Sequence, residues 1–521
     1  MMNPMSASSP SVMWWLLTAC TGSTTISPTD RSTDTPLVST GDTATTPPRP
    51  SCGTVDRVIQ WEGSGNIHRM AQADDGSLFA VGRLGGLTFG PAGSPSLDVS
   101  CPGKSEALLT HLDPQGSLLW TRRGAGCGAF SMAMDVRGDR LAWGIFHSAD
   151  ITFEGGSAPT VPAHGGNDGA FAVYQTDGTL LWTADIACEH HDDLIDLAIG
   201  PEGEVYALGR YSRSDVVLAP GRPDEITLPS SDKLSGGLMY DLYLSRWNAD
   251  GTLAWAEAIA GPGFVDATSV AVLDDRRVVV IGQFGATVTL AGGRPEETTL
   301  APFVEGGFDG YAAGWTLNGQ LAWAYRWGGS SAANQPSTAA ATDPQTLTPI
   351  VLVGDDPVFG DPPTTWTIEG PTYVAADWDA DGNVADVRAL PSPLMGHICS
   401  AADTDRGWLA AGGTTSGTTF GTPPNEVSAD NEEGLFDPLV FTWRPDGSEA
   451  CYWPMASDDP KNHAYADTVV FDGQGGLWAT VTFLSTLKVL PGTPQETVLT
   501  DTTPSFDVAL LHFQLEAPSP E

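Results

Sequence analysis

Apolar residues in this chain fall in short runs rich in β-branched and aromatic side chains, broken by Gly, Asp, Asn and Pro, which is a strand pattern and not a helix pattern. The runs recur in step. A turn leading into an apolar strand appears as Q-G-S-L-L-W (115–120), D-G-T-L-L-W (177–182), D-G-T-L-A-W (250–255), N-G-Q-L-A-W (318–323), D-G-N-V-A-D (381–386) and D-G-S-E-A-C (446–451), about 66 residues apart. A second strand ends at Gly82, Gly144, Gly209, Gly282, Gly354, Gly412 and, without the glycine, at Val481. A third runs from A-L-L-T-H-L-D (107–113) through L-Y-L-S-R-W (242–247) to V-A-L-L-H-F (508–513). An inner strand such as D-L-I-D-L-A-I (193–199) precedes each set.

Four strands per unit and seven units predict an all-β, seven-bladed β-propeller over residues 52–516, followed by a short tail at 517–521. The third and fourth strands are expected to form a tight hairpin, with Asp-Gly and Asn-Gly at its tip supplying the positive φ angles. Between the second and third lies an extra pair of short segments, as in 151–162 and 288–300, expected as a hairpin at one rim. The fourth strands are one short. D-R-V-I-Q-W (56–61) supplies the missing one, placing Trp61 at the tryptophan position and closing the ring through the last blade, where it hides both sheet edges.

The units resemble the bacterial SBBP-type β-propeller repeat, roughly D-A-F-V-x-K-x-D-x-x-G-x-L-x-W followed by a Gly-rich turn and a strand. D-G-A-F-A-V-Y-Q-T-D-G-T-L-L-W (168–182) matches best, and 241–255 is close. The resemblance spans 55–515 and implies the fold and an exported address, but no catalytic residue, because the family has no common activity. Asp386 and Cys451 replace the tryptophan in two units. Trp61, Trp120, Trp182, Trp255 and Trp323 occupy equivalent places in five units, so they are expected to pack blades together and not to form a ligand platform.

The N-terminus carries an address. Residues 12–19, V-M-W-W-L-L-T-A, form an apolar run too short to span a bilayer but suited to a signal peptide, and no Lys or Arg precedes it. Leu17–Thr18–Ala19–Cys20 resembles a lipobox, which implies a signal peptide at 1–20 and lipid on Cys20. Residues 21–51 are Ser/Thr/Pro-rich and read as a disordered tether. The expected location is the outer membrane or cell surface through the lipid anchor, or otherwise a secreted or periplasmic one.

Charge removes one class of partner. Lys+Arg 24 against Asp+Glu 64 leaves a formal charge of −40, which repels nucleic-acid phosphates. In an exported chain the remaining cysteines are candidates for pairing; Cys101 with Cys127 is the first choice, Cys127 with Cys188 the alternative, and Cys399 and Cys451 read as buried thiols. In C-E-H-H-D-D (188–193), His190, His191, Asp192 and Asp193 are divalent-metal candidates, although successive residues in an extended chain point apart. His68, His397 and His463 also fall near inner strands. No cofactor is expected. The function that fits is a lipid-anchored, non-enzymatic propeller binding an unidentified protein or glycan at the envelope. The competing readings are an outer-membrane assembly scaffold and a quinoprotein-like enzyme, since G-x-L-x-W resembles the tryptophan-docking motif of propeller dehydrogenases, which usually have eight blades.

Overall fold

The computed structural model describes residues 54–515 except 90–94, 101–103, 158, 232–239, 330–334, 342–344, 354–356, 360–363, 366–371, 390–398, 404–407, 416–418, 421–426, 429–436, 444–449, 458–463, 492–494 and 502–505. The signal peptide, Cys20, the tether, Cys101, His397 and His463 therefore lie outside the described residues. The described residues contain strands and no helix, and the strand ladders are antiparallel. Among the described residues the main strands group into seven successive sets of four, with Thr54–Gln72 shared by two of them, numbered here as sheets 1 to 7. Sheet 3 shows the pattern: His191–Ile199, Val205–Ser212, Asp241–Trp247 and Leu253–Ile259 pair in that order.

Burial follows position within the sheet. Middle strands are covered on both faces, so Glu106–Leu112 is buried at every position. That explains why they read as continuous apolar runs with no polar alternation. First strands alternate, as His191–Ile199 does over its first half, and fourth strands open toward solvent near the hairpin, where Leu181 is exposed. The recurring glycine expected to end the second strand lies inside it, as Gly82 in Leu78–Phe89 and Gly282 in Arg277–Phe284, and has a steric cause. First strands carry a β-bulge, at Ile67/Arg69 in sheet 1 and Ala267/Ser269 in sheet 4. The bulge region presses a carbonyl onto the opposing glycine: a Cβ on Gly82 would lie 1.9 Å from Asn66 O, and one on Gly282 would lie 2.2 Å from Asp266 O.

The first and last described strands pair with each other. Thr54–Gln72 pairs through Thr54–Trp61 with Asp507–Gln514 of sheet 7, and through Gly65–Gln72 with Leu78–Leu84 of sheet 1. It thus serves as the fourth strand of sheet 7 and the first of sheet 1. First strands also touch in sequence: Thr54–Gln72, Phe130–Arg137, His191–Ile199, Val265–Leu273, Gln335–Ala341, Cys399–Asp403 and Tyr465–Phe471 each pack on the next, and the last packs on the first.

The extra hairpins are more than rim decoration. Six of them add to the fourth strand of the preceding sheet: Gly124 pairs Phe153, Ile186 pairs Leu218, Ala260 pairs Thr289, Gly328 pairs Val358, Met455 pairs Val489 and Trp61 pairs Phe89. Six junctions between neighbouring sheets are bridged in this way, so the exposed edge of one sheet is occupied by the next unit.

Candidate functional site

The repeated polar residues are consumed by the seams between sheets. Trp182 donates its indole N–H to Ala249 O at 3.1 Å, Trp255 to Leu317 O at 3.1 Å and Trp323 to Ala380 O at 3.0 Å, each acceptor lying in the hairpin of the following sheet. The hairpin glycine faces the ring. Gly319 has φ +81°, and a Cβ there would come within 2.8 Å of Trp255. In sheet 1 the job is shared: Trp120 lies against Gly178, while Arg122 stacks on Trp120 and donates to Gly178 O at 3.1 Å. The aspartates at the tips do not adopt positive φ. Asp177 and Asp250 instead accept hydrogen bonds from Thr179 and Thr252, whose side chains and amides hold both carboxyls below the usual range.

Trp61 requires a correction. The residue opposite His512, where Trp255 stands opposite Arg246, is Arg57, which lies over the Trp478 ring. Trp61 pairs with Val508 near the other end of the strand, equivalent to Trp327 opposite Gly310, and is buried edge-on against Phe89 at 5.1 Å. The fourth strand has two tryptophan positions, both filled in sheet 4 by Trp323 and Trp327; Trp61 takes the second, and the apolar pattern alone does not tell the two apart.

A recurring acid escaped the sequence reading. Glu106, Asp168, Asp241, Asp309, Asp437 and Asp507 each head a third strand and are buried. Their carboxylates gather donors from the returning chain: Asp168 from the amides of His164 and Gly165, Asp241 from Ser230 and Ser231, Asp309 from the Phe303 amide, and Asp507 from the Gly63 amide and Gln60. Burial nevertheless dominates, pushing Asp507 up to about 6 and raising Asp241. The signal was present in six of the seven repeats as an acid at the head of the apolar run; Thr372 holds that place in sheet 5.

Inner strands carry a second polar system. Arg69 of sheet 1 reaches Asp196 of sheet 3 at 2.6 Å, and Arg137 of sheet 2 reaches Asp275 of sheet 4 at 2.5 Å. Asp196 also accepts from Val270 N at 3.0 Å, and Asp135 accepts from Ile199 N at 2.6 Å. Burial pushes Asp135 up to about 6 and Asp467 up to about 7.

The candidate binding site is an open cleft of about 520 Å³ where sheet 2 meets the extra hairpin of sheet 3. His164, Cys188, Glu189, Arg213, Ser214 and Asp215 give it polar walls. His164 Nε2 sits 3.0 Å from the Asp185 carboxylate, which burial raises despite the opposing imidazole. Cys188 is buried and free, with Sγ 3.1 Å from Ser214 Oγ, which is 3.3 Å from His190 Nδ1.

The C-E-H-H-D-D segment therefore borders the cleft, but its four metal candidates do not converge. His190 turns to Ser214, His191 lies against Gly166, Asp192 is buried and accepts from Gly169 N at 2.6 Å, and Asp193 pairs with Arg210 at 3.0 Å. Among the described residues no group of three His, Cys, Asp or Glu side chains is placed to share a metal ion. The cysteine assignments change too. Cys127 and Cys451 are disulfide-bonded, so Cys451 is not a thiol, and the free Cys188 is not the partner of Cys127.

No protein-family model and no curated protein matches this chain. Among solved structures, it is similar to Synechocystis apocarotenoid oxygenase (9% identity, covering 90% of this chain and 96% of that one, TM-score 0.37) and to Pseudomonas brassicacearum lignostilbene dioxygenase (10%, 91% and 98%, 0.36). A microbial sialidase, Hz136, aligns at 9% identity over 90% of this chain and 94% of its own, with a TM-score of 0.35. Likeness this distant transfers neither activity nor ligand.

Proposed function

We propose that residues 54–515 form a closed seven-bladed β-propeller of SBBP-type repeats, held at the outer membrane or cell surface by lipid on Cys20, and that it is a non-enzymatic binding platform for a protein or glycan of the envelope. The observation that carries this reading is the cyclic order of first strands together with the strand shared by sheets 7 and 1. A ring whose repeated tryptophans and buried acids serve the seams is a rigid carrier, and its specificity then lies where a unit departs from the repeat, as at the cleft between sheets 2 and 3. The tether at 21–51 supplies distance between anchor and body.

Two experiments test it. Cys20→Ala is expected to move the protein from the membrane to the soluble fraction, and unchanged fractionation refutes the anchor. Cross-linked pull-down from solubilised envelope is expected to retain one defined partner with wild type and to lose it with Glu189→Arg and Arg213→Glu together. Equal retention by that variant removes the cleft from the binding face.

A further inference from the structure

We propose that the strand pairing Thr54–Trp61 with Asp507–Gln514 is a pH-sensitive latch, tight in weak acid and loosened in weak alkali by two titrating clusters, one at each end of the pairing. The proposal rests on the closed-ring reading above. At one end, His512 lies between two carboxylates on different elements. Its Nδ1 is 2.5 Å from Asp56 of the closing strand, and its Nε2 is 3.0 Å from Asp472 in the turn between the first two strands of sheet 7. An imidazole donates to both carboxylates only as the cation, which carries two N–H groups. At the other end, Asp507 accepts from the Gly63 amide at 2.9 Å and from Gln60 Nε2 at 2.7 Å, both on the strand that begins at Thr54. Asp507 is fully buried, so its ionised form is costly there.

The groups around each cluster set its direction. Burial alone would lower the His512 pKa, but the bonds to Asp472 and Asp56 outweigh it and raise it above the ordinary histidine value. Arg57 stands opposite His512 and carries like charge, but its guanidinium lies over the Trp478 ring at 5.6 Å. Asp113, in the sheet 1 hairpin that covers Ile59 and Trp478, spends its carboxylate on the amides of Gln115 and Ser117. Burial raises Asp507 to about 6 despite its donors, and the like charges of Asp501 and Glu62 add to the rise. The strand position alone does not charge a histidine. His111 stands opposite Trp120 as Arg246 stands opposite Trp255, yet it bonds Ser77 Oγ at 2.9 Å, stacks on Phe79 at 4.2 Å, and is lowered by burial.

Both clusters weaken in the same direction. The His512 contribution is complete below the ordinary value of 6.5 and is lost as pH rises through the higher folded value. The Asp507 contribution is complete below 3.8 and is lost as pH rises through about 6. From pH 5 to pH 8 that loss from Asp507 alone weakens closing about tenfold. Asp472, drawn down to about 2 by its donors against its own burial, stays ionised throughout that window. Opening unpairs one edge of Asp507–Gln514 and leaves the other edge on Gly476–Phe483.

The test is amide hydrogen exchange read by mass spectrometry on the full chain at pH 5 and pH 8, corrected for the intrinsic rate at each pH. It compares the peptide over 54–61 with that over 253–259, the fourth strand of sheet 3, which faces Arg246 in place of His512. Protection of 54–61 should fall about tenfold or more relative to 253–259 between the two pH values. His512→Gln together with Asp507→Asn should remove most of that difference, and the wild-type comparison stands even if this variant folds poorly. Equal protection of 54–61 at both pH values would overturn the latch and leave closure intact. A parallel loss in both peptides would place the pH effect in the whole fold and overturn the latch as well. No protection of 54–61 at either pH would overturn closure itself, and the latch with it.

Discussion

The Trp255–Gly319 contact offers a double-mutant test of how the sheets are fastened. Trp255 is partly buried, donates to Leu317 O at 3.1 Å and lies against Gly319, whose φ of +81° disfavours any side chain. Trp255→Ala removes a large ring that is not fully enclosed, so its cost is set at the lower end for such truncations, roughly 2–4 kcal/mol. Trp255→Phe keeps most of the ring and loses the N–H bond, roughly 0.5–1.5 kcal/mol. Gly319→Ala places a Cβ 2.8 Å from the ring and also carries backbone strain of roughly 1–2 kcal/mol. In the double variant the clash is gone and only the strain remains, so the two changes should couple by about 1 kcal/mol or more. Unfolding entropy for about 460 residues is roughly 1 kcal/mol/K, so each kcal/mol moves Tm by about 1 °C. Differential scanning calorimetry at matched scan rates resolves that shift. Additivity within about 0.5 kcal/mol would refute direct contact between the tryptophan and the neighbouring hairpin.

Acidification should stabilise the fold. Asp135, Asp467 and Asp507 are raised by burial to about 6, about 7 and about 6, so the folded state binds their protons more tightly than the unfolded state does. Stability is then lost as pH rises through 6–7, and Tm should rise on going from pH 8 to pH 5; a flat or falling Tm across that window contradicts the burial argument. Asp467→Asn, which keeps an acceptor for Thr482, should raise Tm at pH 8 and flatten the profile, and an unchanged profile would exclude Asp467 as a source. Arg69→Ala, which strands the Asp196 carboxylate, should cost roughly 1 kcal/mol in low salt and less at high salt, since Arg69 is about one-third exposed; no salt dependence would argue against the ion pair.

The repeat was legible because period, turn chemistry and burial agree within each unit. Gly178, Gly251 and Gly319 mark hairpins, and the tryptophans at 182, 255 and 323 follow at a fixed offset. Three features were not legible. The place of Trp61 is ambiguous because a fourth strand can hold tryptophan at two positions, as Trp323 and Trp327 do in sheet 4. Pairing of the extra hairpins with the preceding sheet, seen at six junctions, is a long-range choice made by edges that look alike in sequence. The cleft gathers His164, Cys188 and Arg213–Asp215 from separate segments, so only C-E-H-H-D-D stood out, and its neighbours Ser214 and Gly169, which decide where its side chains turn, lie outside that run. The head-of-strand acids were visible but carried no chemistry until their amide partners were known.

Ring closure by the N-terminal strand is the central claim, and thermal unfolding of two truncated chains tests it most directly. Deleting residues 21–50 leaves Thr54–Trp61, which pairs with Asp507–Gln514, in place, whereas deleting 21–62 removes it. The first chain should keep the Tm and single transition of the parent. The second should expose an unpaired edge, lose the cooperative transition at the parental temperature and aggregate. Equal unfolding of the two chains would contradict closure through this strand.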